Sequence, residues 1–255
     1  VLEVDDPTAF LLAVAVAADL PVTTEDLRVR LDDDPVEVRT GEDAHGGRVH
    51  RFATGPGILS IDYAATVTGR ARPAPVTELD AAIYTRPSRY VQSDSLTDFA
   101  RDTFPGLDGV TLVRSVTSWV HERLSYVPAA SSPLGGAVET LAIGAGVCRD
   151  YAHLTAALLR ALDVPARLVS VYAPELEPRD FHAVVEALVD GRWIVLDATR
   201  LAPRGHMVRI ATGRDATDTA FLTNTLADIR LVRLDVRARA DETDAEDPDR
   251  IVELS

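Results

Sequence analysis

Over the first third of the chain, polar and apolar positions alternate in short runs. Glu25-Asp-Leu-Arg-Val-Arg-Leu and Val36-Glu-Val-Arg show the period of a half-buried strand. Val49 to Ala53 and Ile58 to Val67 read as two more strands, with Gly55-Pro-Gly as the turn between them. Phe10 to Ala17 is strongly apolar and fits either a strand or a buried helix. Gly41 to Gly47 is a turn cluster, and Pro73 and Pro75 mark an exit. Short strands separated by turns predict a small sandwich or barrel over residues 1–80.

The period then lengthens. Asp108 to Tyr126 carries Val110, Leu112, Val113, Val116, Trp119, Val120 and Leu124 near helical spacing. Ser93 or Ser95 can cap a helix running to about Phe104, and Val138 to Ile143 fits a short helix. Gly144-Ala-Gly-Val leads into a long helix from Cys148 to about Leu162, ended by Asp163-Val-Pro. Strands are expected at Ala166–Tyr172, Phe181–Val189 and Arg192–Asp197, the last two joined by the hairpin signal Asp190-Gly191. Val208 to Ile210 and Leu226 to Val236 read as further strands. Asp241 to Asp249 is rich in acids and has no base, which predicts a frayed acidic tail over 241–255. The division expected is therefore 1–80, 81–240 and 241–255.

Composition narrows the function. With 46% hydrophobic residues, the chain can build a packed core. Its longest apolar run, Ala9 to Ala18, is too short to span a bilayer. A net charge of −14 repels phosphate backbones and anionic lipid, so neither nucleic acid nor a membrane is expected as a partner. One cysteine excludes an intrachain disulfide, a zinc ribbon and a Cys-x-x-Cys redox pair. That fits a reducing compartment, and the cytoplasm is the location expected. Every basic residue except histidine is Arg, a bias that suggests a GC-rich bacterial genome. The only methionine is Met207, so the start is read as trimmed or processed; no signal peptide is visible.

Cys148 has two readings. Free cysteine is often a buried structural thiol. Alternatively, a sulfur at a helix N-terminus meets unpaired N–H groups and a positive potential, which favour the nucleophilic thiolate and can also hold an oxyanion. The hairpin weighs between them. With Asp190 and Gly191 as a two-residue loop, Val189 faces Arg192, Val184 faces Asp197 and His182 faces Thr199. His182 and Asp197 then become diagonal neighbours on one face, within reach of an imidazole–carboxylate hydrogen bond. A three-residue loop would move them to opposite faces. The other face, with Ala183, Val185, Ala187, Val189, Ile194 and Leu196, is apolar and suited to the core.

The stretches Gly146-Val-Cys-Arg-Asp-Tyr-Ala-His, Val164-Pro-Ala-Arg, Asp180-Phe-His-Ala-Val and Gly191-Arg-Trp-Ile-Val-Leu-Asp-Ala-Thr resemble the bacterial transglutaminase-like superfamily, over roughly residues 84–215. The resemblance implies an α+β fold: a papain-like core of helices packed on an antiparallel sheet, preceded by a small β-sandwich-like domain. It also implies a Cys-His-Asp triad carried onto Cys148, His182 and Asp197. Two positions depart from the pattern. Val184 stands where members often have Trp, and Ala198 where they often have Pro.

The implied chemistry is acyl transfer on a peptide or protein amide, through a thioester resolved by water or a primary amine, with no cofactor and no metal. The competing reading is a catalytically silent scaffold that kept the fold. Tyr151 and Tyr172 are candidates for lining a cleft near the sulfur, although packing is the commoner fate of such rings. For Trp193, cleft lining and core packing compete evenly. His153 is read as structural and His121 as solvated. His45 and His50 lack the neighbours of a metal site, and His206 is read as a loop residue.

Overall fold

The computed structural model describes residues 1–225, 227–242 and 245–254. Leu226, the first residue of an expected strand, and Thr243, Asp244 and Ser255 of the expected tail lie outside the described residues. Seven strands come first: β1 (Leu2–Val4), β2 (Thr8–Leu12), β3 (Val22–Leu31), β4 (Asp34–Pro35), β5 (Arg39–Glu42), β6 (Arg48–Thr54) and β7 (Gly57–Val67). Helices α1 (Asp80–Tyr84), α2 (Thr97–Thr103) and α3 (Gly109–Arg123) follow, then β8 (Ser125–Tyr126), α4 (Ala137–Ile143), β9 (Ala145–Gly146) and α5 (Cys148–Ala161). The chain continues through β10 (Ala166–Tyr172), β11 (His182–Val189), β12 (Arg192–Leu196), β13 (Val208–Gly213), α6 (Ala216–Thr219), β14 (Leu222–Thr225) and β15 (Ile229–Leu231).

The apolar stretch after Thr8 resolves as a strand: β2 buries Thr8, Phe10 and Leu12 and exposes Ala9 and Leu11. Phe10 stacks on Phe52 of β6 with ring centroids 5.0 Å apart, between two antiparallel sheets. Val36 and Val38 pack against this core, yet the strand they suggested begins only at Arg39. The sandwich is not built from the first third alone. β15 pairs with β1, and β14 pairs with β2, so residues 222–231 complete the N-terminal sheets. Order along the chain placed them with the core; sheet pairing places them elsewhere, because edge strands β1 and β2 each need a partner.

The second unit is a four-stranded antiparallel sheet in the order β12-β11-β10-β13, packed on helices. Helix α5 is buried along nearly its whole length, and Ala152, Ala156, Ala157 and Ala161 let its neighbours approach closely. It ends where Asp163 turns left-handed (φ 61°), just before Pro165. Helix α3 buries Leu112, Val113, Val116 and Val120 against the same core. Between β11 and β12, Asp190 and Gly191 (φ 50° and 72°) form the two-residue turn, which sets the register Val189 opposite Arg192. Val185, Ala187, Val189, Ile194 and Leu196 face the helices. The opposite face buries Glu186, whose carboxylate accepts hydrogen bonds from Arg167 at 2.8 Å and from Arg209 at 2.6 and 3.0 Å.

The acidic C-terminus is pinned, not frayed, over the described residues 245–254. Arg204, 5% exposed, donates to Glu246 at 2.6 Å and to the carbonyls of Val195, Asp247 and Arg250. The Val195 N–H donates to the Val252 carbonyl at 2.8 Å, and Leu254 is buried beside Val195 and Met207. Net acidity suggested a solvated run, but one buried guanidinium supplies the missing countercharge. Arg204→Ala strands Glu246 and three carbonyls. It should cost about 3 kcal/mol, the range for breaking a buried ion pair, or roughly 6–12 °C in Tm for a domain this large. Hydrogen exchange at residues 245–254 should speed up in step.

Candidate active site

Cys148 opens α5. The two residues before it form β9, which runs parallel to β8 with Ser125 opposite Ala145 and Tyr126 opposite Gly146. Gly144 ends α4 in the left-handed region at φ 71°, so the chain reverses sharply there. Asp150 folds back so that its carboxylate accepts the Val147 N–H at 2.9 Å, which caps the helix start. Gly146 is needed for that approach, since a Cβ there would fall 2.6 Å from the Asp150 side chain. Asp150 also pairs with Arg149 at 3.2 Å, so both of its simplest structural roles are occupied. The Cys148 side chain is partly exposed. Its sulfur lies 4.0 Å from the Phe181 carbonyl, on the residue that precedes β11.

His182 begins β11, and Asp197 follows the last residue of β12. The register brings them together: His182 Nε2 lies 2.9 Å from Asp197 Oδ2, with 1% and 5% of the two residues exposed. The other carboxylate oxygen accepts hydrogen bonds from the Thr199 N–H at 2.8 Å and the Thr199 hydroxyl at 2.7 Å. Ring nitrogen Nδ1 is buried without a hydrogen-bond partner. Burial pulls the His182 pKa down, but Asp197 and the Cys148 thiol outweigh it and raise it to about 10. Burial pushes Asp197 up, but the imidazole and Thr199 pull harder and hold its carboxyl below the usual range. The ring therefore remains a cation, fixed by a carboxylate on one side and acted on by a sulfur on the other.

The three aromatic candidates fare differently. Tyr151 is 4% exposed, and its hydroxyl donates to the Leu124 carbonyl at 2.8 Å, so it packs in the core and lines no cleft. Trp193 is 1% exposed and sits under the Arg167 guanidinium at 3.8 Å, with the Tyr84 ring edge-on. It belongs to the buried Glu186 cluster, several residues along the strand from Asp197. Tyr172 does line a cleft. A space of 720 Å³ between the sandwich and the core is bordered by Tyr63, Tyr172, Phe181 and Phe221, and Tyr172 donates to the Val14 carbonyl at its edge.

Other groups escaped sequence reasoning. His121, expected in solvent, lies 2.9 Å through Nδ1 from the carbonyl of Ala198 and so fixes the segment carrying Asp197. His45 bridges Tyr84 and Asp218 at 3.0 and 3.1 Å. His153 is fully buried, stacked on Tyr90, and accepts the Ala216 N–H at 3.1 Å. Burial pushes its pKa down to about 3, so it is a neutral structural ring. Tyr126 was read only as a helix end. Its place beside β9, two residues ahead of the thiol, becomes visible only through strand pairing. Among the described residues no group of side chains forms a metal site, and no helix is long and apolar enough to cross a membrane.

A papain-like core of this topology defines a class, and comparison with known proteins agrees. The profile of the transglutaminase-like superfamily matches residues 98–198. A crystal structure described as "a Putative Cysteine Protease from Cytophaga hutchinsonii" is 32% identical, covers 94% of this chain and 91% of its own, and superposes with a TM-score of 0.80. An uncharacterized protein of Mycobacterium leprae is 29% identical over 119 residues, which is 43% of this chain and 42% of that protein's length. The chain belongs to the transglutaminase-like superfamily.

Proposed function

We propose that this protein is a thiol-dependent acyl-transfer enzyme acting on amides of peptides or proteins, with Cys148 as nucleophile, His182 as acid–base and Asp197 as the group that orients the ring. The observation that carries the reading is the buried His182–Asp197 pair at 2.9 Å, whose register leaves the other ring nitrogen unbonded beside a partly exposed sulfur. The Cys148 sulfur attacks the amide carbonyl. The proton held on His182 Nδ1 passes to the departing nitrogen, and a thioester remains. Water or an amine then attacks the thioester, with His182 taking its proton, and Cys148 is released. Asp197 stabilises the imidazolium throughout and stays ionised.

We favour water as the resolving nucleophile over protein cross-linking, because cross-linking requires water to be kept from the thioester. The superfamily match and the Cytophaga hutchinsonii structure support a thiol hydrolase or acyltransferase. We place the enzyme in the cytoplasm, where a lone reactive thiol stays reduced.

The test is mass spectrometry of glutamine-containing peptides incubated with the protein, with and without a primary amine. A gain of about one mass unit from amide-to-acid conversion marks deamidation, chain cleavage marks peptidase action, and amine addition marks transfer. No change on any peptide, together with slow Cys148 labelling by iodoacetamide near neutral pH, favours the silent scaffold.

A further inference from the structure

Every polar group that surrounds the sulfur has a role in the reading above except Tyr126. Strand β8 holds it in place: Ser125 donates to the Gly144 carbonyl at 3.0 Å and Val127 to the Gly146 carbonyl at 2.9 Å, so the tyrosine between them is locked beside the approach to Cys148. The ring is partly buried and lies 6.1 Å from the Tyr151 ring, one turn further along α5. Its phenol oxygen receives the backbone N–H of Cys148 and feels the charges of Cys148, Asp180 and Asp197. The oxygen therefore stands in the same pocket as the thiol, at the first turn of α5. The Cys148 N–H belongs to the first turn of the helix and has no intrahelical acceptor. Burial raises the Tyr126 phenol to about 12, so its proton is present across the whole neutral range.

Resting on the acyl-transfer reading, we propose that Tyr126 is a further catalytic residue: its O–H and the Cys148 N–H together hold the oxyanion formed when the thiolate attacks. In that step the sulfur–carbon bond forms, and the carbonyl π pair moves onto oxygen. The negative oxygen enters between the two donors, and the phenol turns from accepting the N–H to donating. No proton leaves Tyr126. When the tetrahedral species collapses, the pair returns to the carbonyl, the carbon–nitrogen bond breaks, and the nitrogen leaves with the proton from His182. The two donors are fixed before substrate arrives, one by the helix start and one by the strand pair, which is what makes such stabilisation effective.

The experiment compares two reactions of Cys148 that differ only in whether an oxyanion forms. Acylation by p-nitrophenyl acetate passes through a tetrahedral anion, whereas alkylation by iodoacetamide does not. Tyr126→Phe should slow acylation by about 10²-fold, as loss of one oxyanion donor does. Alkylation should stay within about twofold of wild type, which also reports an intact site. Equal loss of both rates would overturn the proposal in favour of a role in setting the thiol. Unchanged acylation, or faster acylation from an unblocked pocket, would overturn it as well. Should Tyr126→Phe fail to fold, difluorotyrosine at position 126 keeps ring and hydroxyl but acidifies the phenol. Acylation should then fall as pH rises through the new phenol pKa while alkylation does not; a pH profile like that of wild type counts against the donor. A wild-type protein that the ester never acylates sinks the acyl-transfer reading itself, a different failure from an acylated enzyme indifferent to Tyr126.

Discussion

Cys148→Ala should lower amide turnover by about 10⁵- to 10⁶-fold, the scale seen when a covalent nucleophile is removed, with the melting temperature essentially unchanged. The small structural effect follows from the position of the sulfur. It is partly exposed, its nearest polar contact is the Phe181 carbonyl at 4.0 Å, and it fills no part of the core around α5. The helix start is held by Asp150, Gly146 and the β8–β9 pair, none of which needs the thiol. Truncating the side chain to a methyl therefore leaves the framework and removes the chemistry. Turnover is read on whichever peptide shows a mass shift with wild type, and stability by calorimetry. Substantial residual turnover would mean that the reaction does not pass through a thioester.

Asp197→Asn should cost on the order of 10²- to 10⁴-fold in kcat, since the ring keeps a hydrogen-bond partner but loses the charge that stabilises its protonated form. The same substitution should change the pH dependence of stability. In the wild type, His182 is raised from 6.5 to about 10. Its contribution is complete below pH 6.5 and is lost as pH climbs from there through about 10. Asp197 is lowered from 3.8, so its contribution is present above that pH and disappears as the pH falls through its depressed value. Both statements describe one interaction, strongest between pH 3.8 and 6.5. Melting temperatures measured from pH 5 to 10 should decline in the wild type by more than in Asp197→Asn. Parallel curves would show that the pair is not ionised as the geometry demands.

The sequence was most legible where a local rule fixes geometry. Asp190-Gly191 permits the tight turn, the turn sets the register, and the register decides that His182 and Asp197 share a face. The helix beginning at Cys148 was equally readable, from the glycines before it and Pro165 after it. Less legible was anything settled by partners distant along the chain. Trp193 alternates onto the same face as His182, yet the buried Arg167–Glu186 pair draws it into the interior. Tyr151 carries a phenol that suits a cleft, and the Leu124 carbonyl captures it in the core. His121 looked solvated because nothing near it in the chain shows that Ala198 will pass within a hydrogen bond. The acidic tail looked unstructured because Arg204 enters only through folding.

What the amino-acid order determined alone is the set of elements and the short-range geometry they impose: the strand-rich first third, the helices, the hairpin and the nucleophile at a helix start. These depend on backbone preference and periodicity, which act over a few residues. Only the tertiary structure decided which edge strands complete the sandwich, which aromatic rings reach the cleft, what pins the C-terminus and which phenol stands beside the sulfur. Each of those is a contact between segments far apart in the chain, and its energy depends on burial and charge that exist only once the core has closed.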